Sequence, residues 1–193
     1  MDFAGKTAVV TGAGAGMGRA TAVLFAEHGA DVVVVDVDDE AADRPVQELD
    51  GSGEGGAIAV TADVSDADDV EAFVERAVAE FGSIDILHNN AGIPQESTPV
   101  ESVSEETWDR VQDVNLKSAF LGTKHAVPHM REQGEGVIVN TASTSGIRPR
   151  TGLSAYAASK GAVESLVRQL AVDVEQPAVG VELRDQSVSL DET

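Results

Sequence analysis

Short runs of apolar, β-branched residues alternate with longer segments of helical periodicity, and this alternation constrains the fold more than any other feature of the chain. Such a pattern is typical of a parallel sheet with helices on both faces. The strand candidates are Thr7 to Thr11, Asp31 to Asp36, Ala57 to Thr61, Ile84 to His88 and Gly136 to Thr141. Helices are expected near residues 16–28, 39–49, 67–81, 104–131 and 155–174. The sequence therefore predicts an α/β protein with a doubly wound parallel sheet in three layers.

The 193 residues contain no internal repeat and no linker, so we expect residues 1–175 to form one domain and residues 176–193 a poorly ordered tail. No apolar run reaches the roughly 20 residues that a membrane-spanning helix needs. The first residues lack the basic and apolar regions of a signal peptide, which leads us to expect a cytoplasmic location and no membrane partner. The absence of cysteine excludes disulfides and thiolate metal sites.

Acidic residues dominate the charge: 34 Asp and Glu against 13 Lys and Arg give a formal net charge of −21. This charge repels a phosphate backbone and argues against nucleic acid as a partner. One interpretation is a solvated surface that keeps the protein in solution. The other is adaptation to high salt, where mutual repulsion between carboxylates is screened. We take the halophilic interpretation as the working hypothesis.

A glycine-rich turn, Thr11 to Gly18, follows the first strand candidate and leads directly into a helix. Its glycines would allow backbone N–H groups and the helix N-terminus to approach a pyrophosphate. A tight strand-to-helix connection would explain the turn equally well if it stood alone. The context favours the cofactor interpretation, because Asp36 ends the second strand eighteen residues beyond Gly18. A carboxylate there can accept hydrogen bonds from both ribose hydroxyls of NAD, whereas it repels the 2′-phosphate of NADP.

Three motifs together make the chain resemble the short-chain dehydrogenase/reductase family. They are T-G-x-x-x-G-x-G at Thr11 to Gly18, N-N-A-G at Asn89 to Gly92, and Y-x-x-x-K at Tyr156 to Lys160. Ser143 and Asn115 also stand where the family places catalytic partners. The resemblance covers about residues 3–174, and it implies a Rossmann fold, a nicotinamide cofactor with NAD preferred over NADP, and a secondary alcohol or ketone as substrate.

The resemblance also implies a cofactor-binding role for residues at several strand ends. Those expected at the pyrophosphate are Gly12, Gly16, Met17 and Gly18. Asp36 would hold the adenosine ribose, and Asp63 and Val64 would contact adenine. Asn90, Ala91 and Gly92 would border the adjoining ribose, while Tyr156 and Lys160 would reach the nicotinamide ribose. Family members usually pair through the helices that we place at 104–131 and 155–174, so a homodimer or homotetramer is expected.

Tyr156, the only tyrosine, stands four residues before Lys160, which places both side chains on one face of a helix. A free phenol, with a pKa of about 10, is a poor base at neutral pH, and a neighbouring ammonium group favours the phenolate. The resemblance implies that Tyr156 exchanges a proton with the substrate and that Lys160 assists it. Ser143 would hydrogen-bond the reacting oxygen, and Asn115 would position a water in a proton relay.

Each of these residues also has a simpler interpretation. Ser143 could satisfy backbone groups after a strand, Asn115 could be an ordinary polar helix residue, and Tyr156 could pack its ring against the sheet. His125 and His129 are four residues apart, but Pro128 lies between them and no third ligand is apparent, so no metal site is expected.

The family pattern stops after Asp173, where a sixth strand, a Pro-Gly turn and a final strand are expected. Residues Gly180 to Arg184 resemble at most a degraded sixth strand. We therefore expect a sheet that lacks its last strands and a chain truncated or read out of frame from a longer enzyme. The leading hypothesis is an NAD-dependent oxidoreductase. The alternative is a catalytically weak NAD-binding fragment or interaction module without a complete substrate pocket.

Overall fold

The computed structural model describes residues 2–49, 55–174 and 179–185, and these residues form a parallel sheet flanked by helices. The strands are β1 (Thr7–Thr11), β2 (Asp31–Asp36), β3 (Ala57–Thr61), β4 (Ile86–Asn89), β5 (Gly136–Ala142) and β6 (Val179–Asp185). Their order across the sheet is β3-β2-β1-β4-β5-β6, and every neighbouring pair is parallel. The prediction of a doubly wound parallel sheet is confirmed.

Six α-helices connect or follow the strands within the described residues. They are α1 (Gly16–Glu27), α2 (Asp39–Leu49), α3 (Ala67–Phe81), α4 (Glu105–Gln112), α5 (Ser118–Gln133) and α6 (Ser154–Asp173). Neighbouring residues of β1 show how the helices form two outer layers. Val9 packs with Phe73 of α3 on one face of the sheet. Val10 packs with Ala22 of α1 and Ala42 of α2 on the other. Side chains of a strand alternate between faces, so the helices bury the sheet from both sides.

The helix predicted over 104–131 begins at Glu105, close to the prediction, but it is interrupted. A π-helical turn, Asp113–Lys117, joins α4 to α5. Ser104 caps α4, because its Oγ accepts a hydrogen bond of 3.1 Å from the backbone N–H of Thr107. Ser102, which with Glu105 would also fit a capping box, instead ends a short 3₁₀ turn (Val100–Ser102).

The carboxyl-terminal segment differs from the expected disordered tail. Val179–Asp185 form β6, which pairs with all seven residues of β5. The pairing satisfies backbone groups along an edge that would otherwise be exposed. The candidate sixth strand at Gly180 to Arg184 thus lies within β6, and no seventh strand occurs among the described residues, in line with the prediction that the end of the sheet is missing. The rest of the predicted tail, residues 176–178 and 186–193, lies outside the described ranges.

None of the helices in the described part of the chain combines the length and the apolar character needed to cross a membrane. Likewise, the described side chains contain no cluster of three or more histidines and carboxylates suited to hold a metal ion.

Candidate functional site

The carboxyl ends of β1, β2, β3 and β4 surround a cavity of about 770 Å³. The cavity lies where β1 stands between β2 and β4, the point at which the strand order reverses and where doubly wound sheets bind ligands. Nine residues predicted at the cofactor site line it, together with residues that the motifs did not indicate. The predicted ones are Gly12, Gly16, Met17, Asp36, Asp63, Val64, Asn90, Ala91 and Gly92.

The glycine-rich turn presents an open helix N-terminus to this cavity. Gly12 and Gly16 adopt positive φ values of 62° and 54°, which L-residues with side chains rarely adopt. Helix α1 starts at Gly16, and neither a capping side chain of Ala15 nor an acidic residue occupies its first turn. Its first N–H groups are therefore available to an anionic ligand such as a pyrophosphate.

Gly18, which is predicted at the pyrophosphate, packs against the glycine-rich turn. It is buried in α1, and a Cβ at this position would collide with the carbonyl oxygen of Gly12 and lie 2.5 Å from the side-chain nitrogen of Asn90. Gly18 is not among the residues lining the cavity. The missing side chain thus allows α1 to pack closely on the turn, rather than opening space for a ligand.

Asp36 lies on the cavity wall at the end of β2, held by two backbone groups. Its Oδ2 accepts a hydrogen bond of 2.9 Å from the N–H of Gly14, and its Oδ1 accepts one of 3.2 Å from the N–H of Asp38. A Cβ at Gly14 would lie 2.8 Å from this Oδ2, which explains why glycine occupies that position. The two bonds orient the carboxylate and leave it acceptor capacity toward the cavity.

Asp63 and Val64 line the cavity after β3, and Arg110 of α4 lies beside them. Arg110 Nη1 donates to Asp63 Oδ2 at 3.3 Å and to Ser65 Oγ at 3.1 Å. The pKa of Asp63 is lowered, first by the hydrogen bond from the Ser65 hydroxyl and also by Arg110. Asp63 is thus held ionised. Sequence reasoning missed Arg110, because no motif connects it to a residue 47 positions away.

Asn90 ties the end of β4 to the glycine-rich turn. Its Nδ2 donates to the carbonyl oxygens of Thr11 and Gly12 at 2.9 and 3.2 Å. Thr11 Oγ1 in turn accepts from the backbone N–H groups of Asn90 and Ala91, both at 3.1 Å. Asn90 therefore fixes the two sides of the cavity relative to each other.

A second, smaller cavity of about 150 Å³ adjoins the first at Gly92 and Ile93, which line both. Tyr156 and Lys160 of α6 complete its wall. Lys160 is 1% exposed, and its Nζ donates to the carbonyl oxygen of Thr141 at 2.7 Å. Burial lowers the pKa of Lys160 to about 8. The predicted Tyr-Lys pair and nine of the other predicted cofactor residues thus line two adjoining cavities.

His88 is a buried neighbour of this group that the sequence did not single out. Its Nε2 lies 3.0 Å from Thr141 Oγ1, and burial lowers the pKa of His88 to about 4. The imidazole is therefore neutral at physiological pH, and it adds no charge next to Thr141, whose carbonyl oxygen accepts from Lys160.

Asn115 lies in the π-helical turn, and its side chain holds the loop that follows β4. Its Oδ1 accepts from the N–H of Ile93 at 2.7 Å, and its Nδ2 donates to the carbonyl oxygen of Ile93 at 3.0 Å. The same Nδ2 lies 3.2 Å from Ser159 Oγ. Asn115 is thus a buried link between the loop and α6, rather than an ordinary polar helix residue.

Ser143 follows β5 directly, next to the strand end that accepts the Lys160 hydrogen bond. Its Oγ accepts from the N–H of Ser145 at 3.2 Å and caps a 3₁₀ turn, Thr144–Gly146. This bond matches the simpler interpretation of Ser143 as a backbone partner. Ser143 does not line either cavity described above, although its hydroxyl keeps a proton that it can donate.

Comparison with known proteins agrees with this architecture. The short chain dehydrogenase family model matches residues 6–183, so the chain belongs to the short-chain dehydrogenase family. The match passes the expected limit near residue 174 and includes most of β6. The chain is similar to a short-chain dehydrogenase/reductase from Burkholderia phymatum in complex with NAD, with a TM-score of 0.91 and 37% identity. The alignment covers 96% of this chain and 66% of the other.

Two relatives illustrate the range of the family. The chain is 44% identical over 170 residues to 3beta-hydroxysteroid dehydrogenase 2 of Eggerthella lenta, covering 88% of this chain and 65% of the relative. It is 42% identical over 171 residues to cyclohexanol dehydrogenase of an Acinetobacter species, covering 89% of this chain and 68% of the relative. The chain thus spans about two thirds of the length of these relatives.

Proposed function

We propose that this protein is an NAD-dependent oxidoreductase that interconverts a secondary alcohol and a ketone. The observation that carries the proposal is the junction of the two cavities at Gly92 and Ile93. One cavity begins at an uncapped helix N-terminus and a carboxylate, and the other ends at Tyr156 and Lys160. A dinucleotide in the first would direct its reactive end toward the second.

The larger cavity offers groups that suit each part of the dinucleotide. The first turn of α1 would bind the pyrophosphate, Asp36 the adenosine ribose, and Asp63 and Val64 the adenine. Asn90, Ala91 and Gly92 would border the adjoining ribose. The lining contains one cation, Arg110, and that side chain is engaged with Asp63 and Ser65. Asp36 without a neighbouring free cation supports NAD over NADP.

Bound NAD would supply the hydride acceptor, and the protein would supply position and proton transfer. We assign Tyr156 as the general acid/base, which takes the proton from the alcohol oxygen in oxidation and returns it in reduction. Lys160, protonated below a pKa of about 8, would stabilise the phenolate and bind the nicotinamide ribose. Ser143 would donate its hydroxyl proton to the reacting oxygen. Asn115 would support a proton relay while it holds the loop at Ile93.

The substrate class rests on the chemistry of this pair and on the names of the relatives. A hydroxysteroid and cyclohexanol are both cyclic secondary alcohols, which makes this class the first to test. Sugars and polyols are further candidates. A 3-oxoacyl thioester is a less favoured substrate, because its reduction often uses NADP in this family. The carboxylate of Asp36 would repel the 2′-phosphate of NADP.

The experiment is to purify the protein in high salt, titrate NAD and NADP, and follow NADH formation with a panel of secondary alcohols. We expect tighter binding of NAD than of NADP, and turnover of at least one cyclic alcohol. Tyr156→Phe should lower kcat by at least about 10²-fold with little change in NAD affinity. NAD binding without turnover of any alcohol would instead support an NAD-binding module, and full activity of the Phe variant would exclude Tyr156 from its role.

Assembly and location form the last part of the proposal. Helices α4, α5 and α6 carry exposed apolar side chains, including Trp108, Phe120 and Val172. A homodimer or homotetramer formed through these helices would cover them, in a cytoplasmic protein. Light scattering should report a mass of two or four chains, and a monodisperse monomer would contradict the proposal.

A further inference from the structure

The loop that follows Gly92 is attached to the segment that starts α6. At its outer end the N–H of Thr98 donates to the carbonyl oxygen of Gly152 at 3.0 Å. At its inner end the side chain of Gln95 accepts, through Oε1, a hydrogen bond of 3.0 Å from the N–H of Tyr156. The inner contact is the one that reaches the proposed general acid/base.

Helix α6 has no N-cap side chain of its own, and Gln95 takes over that role from the loop. The residue at the N-cap position, Leu153, makes no side-chain capping bond, and Tyr156 is the third residue of the helix. Its N–H therefore has no acceptor within the helix, and Gln95 supplies one from a loop 61 residues away. The first turn of α6, and with it the backbone of Tyr156, depends on this contact for its position.

The orientation and burial of Gln95 indicate that its acceptor atom is needed here. The residue is 7% exposed, and its Nε2 is buried without a hydrogen-bond partner among the described residues. A backbone N–H can only donate, so Oε1 must face Tyr156 and the amide cannot turn to satisfy its own nitrogen. An unpartnered buried donor is unfavourable, and an apolar residue at position 95 would avoid this cost.

The carbonyl of Tyr156 is held from the opposite side. Ser159 Oγ donates to it at 2.8 Å, and Asn115 Nδ2 lies 3.2 Å from the same hydroxyl. Both backbone groups of Tyr156 thus have tertiary or local partners, and Gln95, in the loop that follows Gly92, provides the partner of the N–H. We propose that Gln95 is a positioning residue for Tyr156, an inference that rests on the proposed function.

Three variants test this role. Gln95→Leu removes the acceptor, Gln95→Glu keeps an acceptor oxygen in the same place, and Ser97→Ala is the matched control. Ser97 lies in the same loop, and its Oγ donates to the carbonyl oxygen of Thr151 at 3.3 Å. Steady-state kinetics would give kcat and the KM for NAD and alcohol. Amide hydrogen exchange would report the Tyr156 N–H, and thermal unfolding would show whether each variant is folded.

We expect Gln95→Leu to lower kcat about tenfold or more, with the KM for NAD changed less than about twofold, because only the alignment of Tyr156 is lost. Gln95→Glu should recover most of kcat, and Ser97→Ala should match the wild type. Unchanged kcat in the Leu variant, a parallel loss of NAD affinity, or equal losses in the Leu and Glu variants would overturn the proposal.

Amide exchange keeps the inference separate from the proposed function. Tyr156 N–H should exchange faster in Gln95→Leu than in the wild type or in Ser97→Ala. If the wild type turned over no alcohol, the proposed function would fail, and exchange would still decide whether Gln95 holds Tyr156. Equal exchange of Tyr156 N–H in all three proteins would overturn the inference even if the enzyme were active.

Discussion

Lys160 is a positive charge in a place that favours its neutral form. It is 1% exposed, its Nζ contacts the carbonyl oxygen of Thr141, and burial lowers its pKa from 10.5 to about 8. The unfolded chain, in which lysine keeps its ordinary pKa, therefore binds the proton more tightly than the folded protein does. Buried charged groups with a shifted pKa are common at functional sites, where a side chain is kept in a required position although this lowers stability.

Replacing this lysine should stabilise the protein while it removes activity. The pKa difference corresponds to about 3 kcal/mol, so Lys160→Met should raise the free energy of unfolding by roughly 2 kcal/mol at pH 7 after loss of the Thr141 hydrogen bond. The gain should be complete below pH 8 and shrink as the pH rises toward 10.5, where the unfolded chain also loses the proton. Urea unfolding at pH 7 and pH 10 measures the gain in stability, and kcat measures the loss of activity.

Lys117→Met is the control for this substitution, since Lys117 is exposed and its Nζ lies 3.8 Å from Asp113 Oδ1. An exposed pair of this kind contributes little, so the change should stay within about 0.5 kcal/mol. A destabilised Lys160→Met protein at pH 7 would show that the ammonium is better accommodated than its burial indicates.

The π-helical turn between α4 and α5 sets the direction of the Asn115 side chain and therefore its hydrogen-bond partners. The turn adds a residue to the helical register, a feature often found at functional sites. Asn115 then reaches both backbone groups of Ile93, in the loop between the two cavities. The sequence predicts one uninterrupted helix here, because hydrophobic periodicity over one turn does not separate a π turn from an α turn.

Asn115→Ala should lower the free energy of unfolding by about 2–4 kcal/mol, since it leaves the N–H and the carbonyl of Ile93 without their buried partner. Activity should fall as well, because the loop between the cavities loses its anchor. Chemical denaturation and NADH formation measure the two effects. Asp113→Ala, a change of a half-exposed side chain in the same π turn, should alter stability by less than about 0.5 kcal/mol. Equal effects of both substitutions would contradict the anchoring role.

The whole molecule carries a net charge of −21, and repulsion between its carboxylates lowers the stability of the folded state. Several of the few basic side chains, among them Arg19, Arg76 and Arg110, already pair with a carboxylate. Because 34 acidic residues stand against 13 basic ones, most carboxylates cannot form an ion pair with a basic side chain. Salt screens repulsion between exposed charges at separations beyond a few Å, so the folded state should be more stable at high ionic strength.

The melting temperature should therefore rise steadily from dilute buffer to molar KCl. A non-ionic osmolyte at the same osmolality is the control, because it is excluded from the surface without screening charge. A melting temperature that stays flat or falls with KCl, or that rises equally with the osmolyte, would reject salt adaptation.

Local patterns in the sequence were sufficient for much of the fold and for most of the residues that line the larger cavity. The bounds of β1, β2 and β3 are as predicted, because burial on both faces leaves an apolar run of strand length. Asp36 ends β2 and the glycine-rich turn follows β1, so their place at the carboxyl edge is set by chain order alone. Tyr156 and Lys160 share a wall because a spacing of four is one helical turn.

Only the tertiary structure decided which distant residues meet around these motifs. Arg110 beside Asp63, Asn115 at Ile93 and Gln95 at Tyr156 are each separated by more than twenty residues, and no periodicity connects the partners. The sixth strand likewise depends on pairing with β5, which its short sequence alone does not reveal. The sequence therefore determined the class of fold, the edge of the sheet at which the candidate site lies, and the Tyr-Lys pair, since these follow from burial and local backbone geometry. The folded chain decided how these groups are held, because hydrogen bonds between distant residues form only once the elements have packed.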